Sequence, residues 1–252
     1  MHVTDSGSGT PLVLLHAFPL DSRMWDAVRP ELAEHVRVIT PDQPGLGSSP
    51  PSDEEPSLAS AAAEVVTALD TLGVDRAVVG GCSMGGYLAM AVLRAAPERV
   101  AGLVLVDTKP TADDDTARRT RLDMAERVLA DGTGFLADES LPRLLAPIAT
   151  AEVVGRVRAL IDAQPATGIA WAQRAMAARP DSSALLAATD VPTLIVHGAL
   201  DALMPVEIAH TTASLMSTVD TAVIADAGHL PPLETPAAFT TALIAWLAGV
   251  SV

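Results

Sequence analysis

Six short apolar runs constrain the fold of this 252-residue chain more than any other feature of its sequence. They are rich in Val, Leu and Ile, and most are continuous rather than alternating, which is typical of strands covered on both faces in a parallel sheet. The runs lie at residues 12–15, 36–40, 77–80, 102–106, 193–196 and 222–225. Helical stretches such as 57–72 and 84–96 separate them, so we expect an α/β fold with a mostly parallel sheet flanked by helices.

The alternation of strands and helices is interrupted once, at residues 109–187. This segment shows several helical patterns, separated by glycines and prolines, and no convincing strand. We therefore predict a core made of residues 1–108 and 188–252, with a helical cap at 109–187. Because ligands bind at the C-terminal ends of strands in open α/β sheets, and the cap leaves from such an end, we expect a lid over a substrate pocket. Passive packing of these helices on the sheet is the alternative.

The charge balance and the single cysteine exclude several functional classes. Lys and Arg total 16 against 31 Asp and Glu, and a formal net charge of −15 would repel a nucleic-acid backbone. Cys82 alone cannot form an intramolecular disulfide or a multi-cysteine zinc site. The sequence shows no apolar stretch of membrane-spanning length and no secretory signal pattern, so we expect a cytoplasmic location and no membrane partner. The oligomeric state stays open.

Residues 81–85 read Gly-Cys-Ser-Met-Gly and match the pattern G-x-S-x-G between a predicted strand and a predicted helix. A serine at this turn projects from the sheet on a tight backbone, and the flanking glycines provide the room. We predict that Ser83 is a nucleophile, with a helix N-cap as the alternative role. Cys82 is the rival nucleophile, but the alternation of side chains along a strand turns it away from the pocket.

A serine nucleophile needs a base and an acid that orients the base. In the chain order Ser, Asp, His, the favoured base is His229, which lies on a loop just past the last predicted strand. The acid has two candidates, Asp201 after the strand at 193–196 and Asp107 at the end of the strand at 102–106. We favour Asp201 because its loop directly precedes the last strand and the histidine loop.

The oxyanion formed in the reaction also needs hydrogen-bond donors. We expect these to be the backbone amides of Met84, which follows the nucleophile, and of Phe18, on the loop after the first run. His16 on the same loop is expected to brace it. Trp171 is a candidate for the substrate pocket, with packing inside the cap as the alternative. Five cap arginines are either solvated or available to a substrate carboxylate: Arg143, Arg156, Arg158, Arg174 and Arg179.

Four segments resemble loops of the α/β-hydrolase superfamily. The sequence His-Ala-Phe-Pro at 16–19 is similar to its oxyanion loop, with Ala17 in place of the usual glycine, and 42–49 is similar to its D-x-P-G-x-G-x-S loop. Residues 198–205 resemble the acid loop G-x-x-D-x-x-x-P, and 228–236 the histidine loop. The resemblance implies the α/β-hydrolase fold, with a helical cap inserted after the sixth strand. Residues 179–186 are similar to the segment that closes the cap in the group of 3-oxoadipate enol-lactonases and carboxylesterases.

The function that this resemblance implies is that of a serine hydrolase. It would cleave a small-molecule carboxylic ester or lactone through an acyl-enzyme, with no metal and no organic cofactor. The same triad also serves carbon–carbon bond hydrolases, acyltransferases and cofactor-free haloperoxidases or perhydrolases. A non-catalytic binding module with this fold is the alternative from a different functional class, because fold alone does not dictate function.

Overall fold

The computed structural model describes residues 1–250 and contains a seven-stranded sheet. Its strands are β1 (Val3–Ser6), β2 (Pro11–Leu15), β3 (Arg37–Pro41), β4 (Ala77–Cys82), β5 (Val100–Val106), β6 (Thr193–Gly198) and β7 (Val219–Ile224). The spatial order is β1-β3-β2-β4-β5-β6-β7, in which β1 is antiparallel to β3 and every other pair is parallel. The predicted α/β class with a mostly parallel sheet is confirmed.

Helices cover the sheet, and eleven α-helices lie within residues 1–250. They are α1 (Arg29–Ala33), α2 (Leu58–Thr71), α3 (Met84–Ala95), α4 (Asp115–Asp131), α5 (Leu136–Leu144), α6 (Ala151–Asp162), α7 (Ala166–Ala177), α8 (Ser183–Ala188), α9 (Glu207–Ala213), α10 (Pro231–Glu234) and α11 (Pro236–Leu247). Short 3₁₀ helices lie at Ser22–Trp25 and Pro97–Arg99. Helix α3 packs on β2, β4 and β5, whereas α11 packs on β6 and β7. In this described part of the chain, no helix combines the length and apolar character needed to cross a membrane.

Every residue of β4, β5 and β6 is buried, which explains why the sequence shows them as continuous apolar runs. The six predicted strands are present with shifted bounds, whereas β1 was not predicted. This strand has four residues, lies at the edge of the sheet and includes the polar Thr4 and Asp5, so it lacks an apolar run.

The helical insertion consists of α4 to α8 and lies between β5 and β6. It therefore follows the fifth strand of this chain, and the expected insertion after a sixth strand is corrected. The reason is that β1, β2 and β3 are followed by only two further strands before the insertion begins. Within it, α4 packs against α7, and α5 packs against α6.

The parallel central strands end at one edge of the sheet, and that edge positions the candidate site. His16 directly follows β2, Ser83 directly follows β4, and Asp107 directly follows β5. Asp201 lies three residues past the end of β6, and His229 lies five residues past the end of β7. Residues that are far apart in the sequence are thereby gathered where α/β sheets bind their ligands.

Candidate active site

Ser83 occupies a strained turn between β4 and α3. Its backbone has φ 53° and ψ −112°, and its amide donates a hydrogen bond of 2.9 Å to the carbonyl of Val106. The turn requires glycine nearby: a Cβ atom on Gly81 would lie 2.1 Å from the backbone of Gly85, and one on Gly85 would lie 2.0 Å from the carbonyl oxygen of Leu15. Within residues 1–250 the Ser83 hydroxyl makes no capping hydrogen bond to α3. The strain therefore serves to present the side chain rather than to cap the helix.

His229 and Asp201 form a short buried pair. The distance from His229 Nδ1 to Asp201 Oδ2 is 2.6 Å, and Asp201 Oδ1 accepts hydrogen bonds from the amides of Leu203 at 2.7 Å and Met204 at 3.0 Å. Burial acts to raise the pKa of Asp201, but the hydrogen bonds from His229 and these amides outweigh it and lower the pKa. An ionised Asp201 holds the proton of His229 on Nδ1, which leaves Nε2 as the basic atom.

His229 Nε2 is buried and has no hydrogen-bond partner among residues 1–250. His229 and Ser83 line the same cavity, which has a volume of about 440 Å³. A histidine with an unpaired ring nitrogen therefore shares a cavity with a serine on a strained turn, and these are the two groups that acyl transfer through a serine requires.

The histidine loop is held in place by one carboxylate. Glu234 Oε1 accepts hydrogen bonds from the amides on both sides of His229, those of Gly228 at 3.1 Å and Leu230 at 3.0 Å. Glu234 Oε2 accepts a third hydrogen bond, of 2.7 Å, from the amide of Ala146 in the helical insertion. Glu234 thus couples the position of His229 to the insertion.

The two amides expected to bind an oxyanion belong to Phe18 and Met84. Neither donates a hydrogen bond to another group within residues 1–250. The first turn of α3 lies directly against the end of β2, because a Cβ on Gly85 would meet the carbonyl oxygens of both Leu15 and His16. The structure therefore brings the segment of Met84 and the loop of Phe18 together beside Ser83.

His16 is buried beneath this loop and is held by three hydrogen bonds. Its Nε2 accepts from the amide of Gln43 at 2.9 Å, so its Nδ1 carries the proton that is donated to the carbonyl of Ala17 at 3.1 Å. The side-chain amide of Gln43 donates back to the carbonyl of His16 at 2.7 Å. Burial lowers the pKa of His16 and favours this neutral form. These contacts support the expectation that His16 braces the loop.

Asp107, the rival acid, lies beside Asp201 but does not hold His229. It is fully buried, has φ 41°, and its Oδ1 accepts a hydrogen bond of 2.9 Å from the amide of Gly198. Burial and then the charge of Asp201 raise the pKa of Asp107 well above its ordinary value. The pKa values of the two carboxyl groups are thus shifted in opposite directions, which makes Asp201 the stronger acid and the better partner for His229.

Asp107, His197 and Asp201 place one potential metal-ligand atom each within 4.8 Å of one another. Hydrogen bonds already occupy these groups, however. His197 Nε2 lies 2.7 Å from the carbonyl of Met204 and must donate to it, and both oxygens of Asp201 accept hydrogen bonds. The cluster is thus organised as a hydrogen-bond network around the acid.

Cys82, the rival nucleophile, is buried, and its Sγ lies 3.5 Å from the carbonyl oxygen of His229. Burial, followed by the charge of Asp107, raises the pKa of this thiol well above its ordinary value. Because the thiolate is the nucleophilic form of cysteine, this environment opposes a reactive Cys82.

Trp171 does not line the cavity of Ser83. Its indole Nε1 instead donates a hydrogen bond of 3.3 Å to the carbonyl of Glu54, outside the cavity. The expected pocket role of Trp171 is therefore corrected, because the ring is directed towards the loop before α2. Residues of the cavity that were not singled out in the sequence include Lys109, Asp113 and Arg121. The one available signal was that Lys109 is the only lysine of the chain and follows β5 closely.

Comparisons with known proteins agree with this architecture. A family model described as alpha/beta hydrolase fold matches residues 10–236. The chain is similar to a pimeloyl-[acyl-carrier protein] methyl ester esterase of Aromatoleum aromaticum, with 33% identity over 89% of this chain and 93% of the relative. It is also similar to the solved structure of a thermophilic esterase from Thermogutta terrifontis with malate bound, with 40% identity, a TM-score of 0.96, and coverage of 98% of this chain and 92% of that one. The enol-lactonase from Burkholderia xenovorans is 25% identical, with a TM-score of 0.85 and coverage of 98% and 96%.

Proposed function

Because the chain belongs to the alpha/beta hydrolase fold family and is an ester-hydrolysing enzyme, we propose that it cleaves carboxylic esters through an acyl-enzyme formed on Ser83. The observation that carries the proposal is the 2.6 Å contact between His229 and Asp201, which leaves His229 Nε2 uncommitted in the cavity that Ser83 also lines. In this proposal Ser83 is the nucleophile, His229 the general base and Asp201 the orienting acid.

The acylation half of the reaction uses the serine hydroxyl. His229 Nε2 takes the proton of Ser83 as Oγ attacks the carbonyl carbon of the ester, and the negative charge passes to the carbonyl oxygen. The amides of Phe18 and Met84 stabilise this oxyanion, each contributing roughly 3 kcal/mol to catalysis. The bond to the alcohol oxygen then breaks, the imidazolium returns its proton to that oxygen, and the alcohol leaves.

The deacylation half consumes one water molecule. His229 removes a proton from water as the water oxygen attacks the acyl carbon, and the bond to Ser83 Oγ breaks as the serine regains its proton. The sum is one ester and one water converted to one acid and one alcohol. Asp201 remains ionised throughout and stabilises the imidazolium, which forms twice in each cycle.

We assign the role of a cap to residues 109–187. Side chains from this segment, including Met124, Leu136 and Met176, line the cavity, and the Glu234 contact to Ala146 joins it to the histidine loop. Curated relatives are named as methyl ester esterases, which makes methyl esters of carboxylic acids the first substrates to test. The similarity to an enol-lactonase supports testing lactones as the second class of substrate.

The test compares hydrolysis of p-nitrophenyl acetate by the wild-type enzyme and by two neighbouring variants. Ser83→Ala should lower kcat by at least about a thousandfold, because covalent catalysis is lost while binding remains. Cys82→Ala is the matched control and should retain activity, since its buried thiol takes no part. Ester hydrolysis that survives in Ser83→Ala would rule out the proposed nucleophile.

A further inference from the structure

Three cations, Lys109, Arg121 and Arg179, form a cluster around the carboxylate of Asp113. Lys109, Arg121 and Asp113 line the cavity, and Arg179 contacts Asp113 without lining it. Asp113 Oδ1 accepts a hydrogen bond of 2.8 Å from Nη2 of Arg179, whose Nη1 lies 2.7 Å from Asp113 Oδ2 in an ion pair. Asp113 Oδ2 also accepts a hydrogen bond of 2.5 Å from Nε of Arg121. Burial acts to raise the pKa of Asp113, but these two arginines outweigh it and lower the pKa to about 2. The carboxylate is therefore saturated by the arginines alone.

Lys109 is the third cation, and the only lysine in the 252 residues. Its Nζ lies 3.8 Å from Asp113 Oδ1, beyond hydrogen-bond distance, and makes no hydrogen bond to any group within residues 1–250. Burial, followed by the charges of Arg179 and Arg121, lowers the pKa of this ammonium group against the opposing effect of Asp113 and Asp114. The positive charge of Lys109 is therefore not fully compensated by a neighbouring carboxylate.

Other charged residues of the cavity do not neutralise the positive charge of the cluster. Glu139, the other acidic residue that lines the cavity, is already paired with Arg127 at 3.0 Å. Arg143 also lines the cavity and has no ion-pair partner in the described part of the chain. The cavity therefore carries local positive charge in a chain whose formal net charge is −15. The negative net charge of the whole chain repels anions at long range. A cavity that is rich in cations therefore indicates a binding site for an anion.

The lining of the cavity also includes apolar side chains from the helical insertion. Met124, Leu136 and Met176 line the same cavity as Ser83 and Lys109. An aliphatic chain suits these side chains, and a carboxylate at its end suits an ammonium group with free N–H donors.

We propose that Lys109 binds a carboxylate at the end of the substrate's acyl chain, so that the preferred substrates are half-esters of dicarboxylic acids. This inference rests on the esterase function proposed above. Ser83 attacks the ester carbonyl at one end of the chain while Lys109 holds the free carboxylate at the other. The flexible side chain of Lys109 is better placed for this than Arg121 or Arg179, whose guanidinium groups are committed to Asp113.

The experiment compares monomethyl and dimethyl esters of succinic, glutaric, adipic and pimelic acids, which share a leaving group and differ in one charge. Lys109→Met should lower kcat/KM for the best monomethyl ester by about tenfold, mainly through KM, since a charge-assisted hydrogen bond is lost. The dimethyl esters should change by less than about twofold, because they present no carboxylate to Lys109.

Two variants and a comparison of two inhibitors provide the controls. Lys109→Arg retains the charge and should recover most of the monoester activity, whereas Arg119→Met removes an exposed charge of α4 outside the cavity and should alter neither substrate. For the wild-type enzyme, adipate should inhibit p-nitrophenyl acetate hydrolysis more strongly than hexanoate, because only adipate offers a second carboxylate.

Equal losses on monoesters and diesters in Lys109→Met, or no loss on either, would overturn this inference and leave the esterase proposal intact. Equal inhibition by adipate and hexanoate would also overturn it, and this result does not depend on the folding of any variant. If the wild-type enzyme hydrolysed no ester of either series and Ser83 did not react with a fluorophosphonate, both proposals would fall together.

Discussion

The assignment of Asp201 as the acid predicts different effects of substitution at two neighbouring carboxyl groups, those of Asp201 and Asp107. In Asp201→Asn, the amides of Leu203 and Met204 will still require an acceptor, because they bond to Asp201 Oδ1 at 2.7 and 3.0 Å. The new carbonyl oxygen will take that position, so the NH₂ group will face His229 Nδ1. Nδ1 must then accept a hydrogen bond, and the proton moves to Nε2, where it blocks removal of the proton of Ser83.

The expected loss in Asp201→Asn is roughly 10³ to 10⁴ in kcat, the size found when an orienting acid imposes the wrong tautomer on a catalytic histidine. Asp107→Asn should behave differently. Asp107 makes no hydrogen bond to His229 within residues 1–250, and an asparagine oxygen can still accept from the amide of Gly198. Asparagine also tolerates the backbone φ of 41°. Its kcat should stay within about threefold of the wild type.

Steady-state kinetics with p-nitrophenyl acetate at pH 8 separate the two variants, and thermal unfolding checks that both fold. Stability gives an independent readout of the raised pKa of Asp107. Because its folded-state pKa is raised, the wild-type protein loses stability as pH rises above the pKa of the unfolded chain, near 4, towards the higher folded-state value. Asp107→Asn lacks this loss, so its Tm relative to the wild type should increase between pH 4 and 7. A collapse of kcat in Asp107→Asn with near-normal kcat in Asp201→Asn would refute the assignment.

Two further predictions concern carboxylates outside the proposed triad. Glu234→Gln keeps one oxygen for the amides of Gly228 and Leu230 but turns an NH₂ group towards the amide of Ala146. Urea unfolding should therefore show a free energy of unfolding lower by about 1–3 kcal/mol, and kcat should fall. Unchanged values would show that the histidine loop does not depend on Glu234. For Asp113, whose pKa is lowered to about 2, the stabilisation is present above pH 4 and is lost as pH falls towards 2. Urea unfolding at pH 5 and pH 3 should show this loss in the wild type and less of it in Asp113→Asn, and equal losses in both would contradict the role of Asp113.

The strands at the centre of the sheet were predictable because strands that are buried on both faces consist of consecutive apolar residues. The edges were not. Strand β1 is short and partly polar. Strand β7 begins at Val219, and the prediction missed its first three residues because they are exposed or only partly buried at the other edge of the sheet. Where one side of a strand meets water, the apolar pattern that identifies it weakens.

The elbow around Ser83 was predictable for a local reason, since its glycines, strand and helix are contiguous in the sequence. The opposite shifts in the pKa values of Asp201 and Asp107 were not, because they depend on which carboxyl group receives the amides of the acid loop and the imidazole of His229. These partners come from different strands and meet only after folding.

The cation cluster was beyond sequence reasoning for a similar reason. Arg179 was one of five cap arginines that appeared equivalent, and only the fold turns it inward onto Asp113, where its side chain is 4% exposed. Its guanidinium also stacks on the ring of Tyr87, with 4.0 Å from Cζ to the ring centroid. Trp171 shows the converse, because an aromatic residue in the cap suggests a pocket, yet its neighbour in the fold is the backbone of Glu54.

If Ser83, activated by His229, forms the covalent intermediate, a reagent that traps serine nucleophiles should label Ser83. The wild-type enzyme is treated with a fluorophosphonate, digested with trypsin, and the adduct is located by tandem mass spectrometry in the peptide 77–94, which contains both Cys82 and Ser83. We expect one adduct on Ser83 in the wild type and in Cys82→Ala, with labelling at least about a hundredfold slower in His229→Ala. An adduct on Cys82 or outside this peptide, or undiminished labelling of Ser83→Ala, would contradict it.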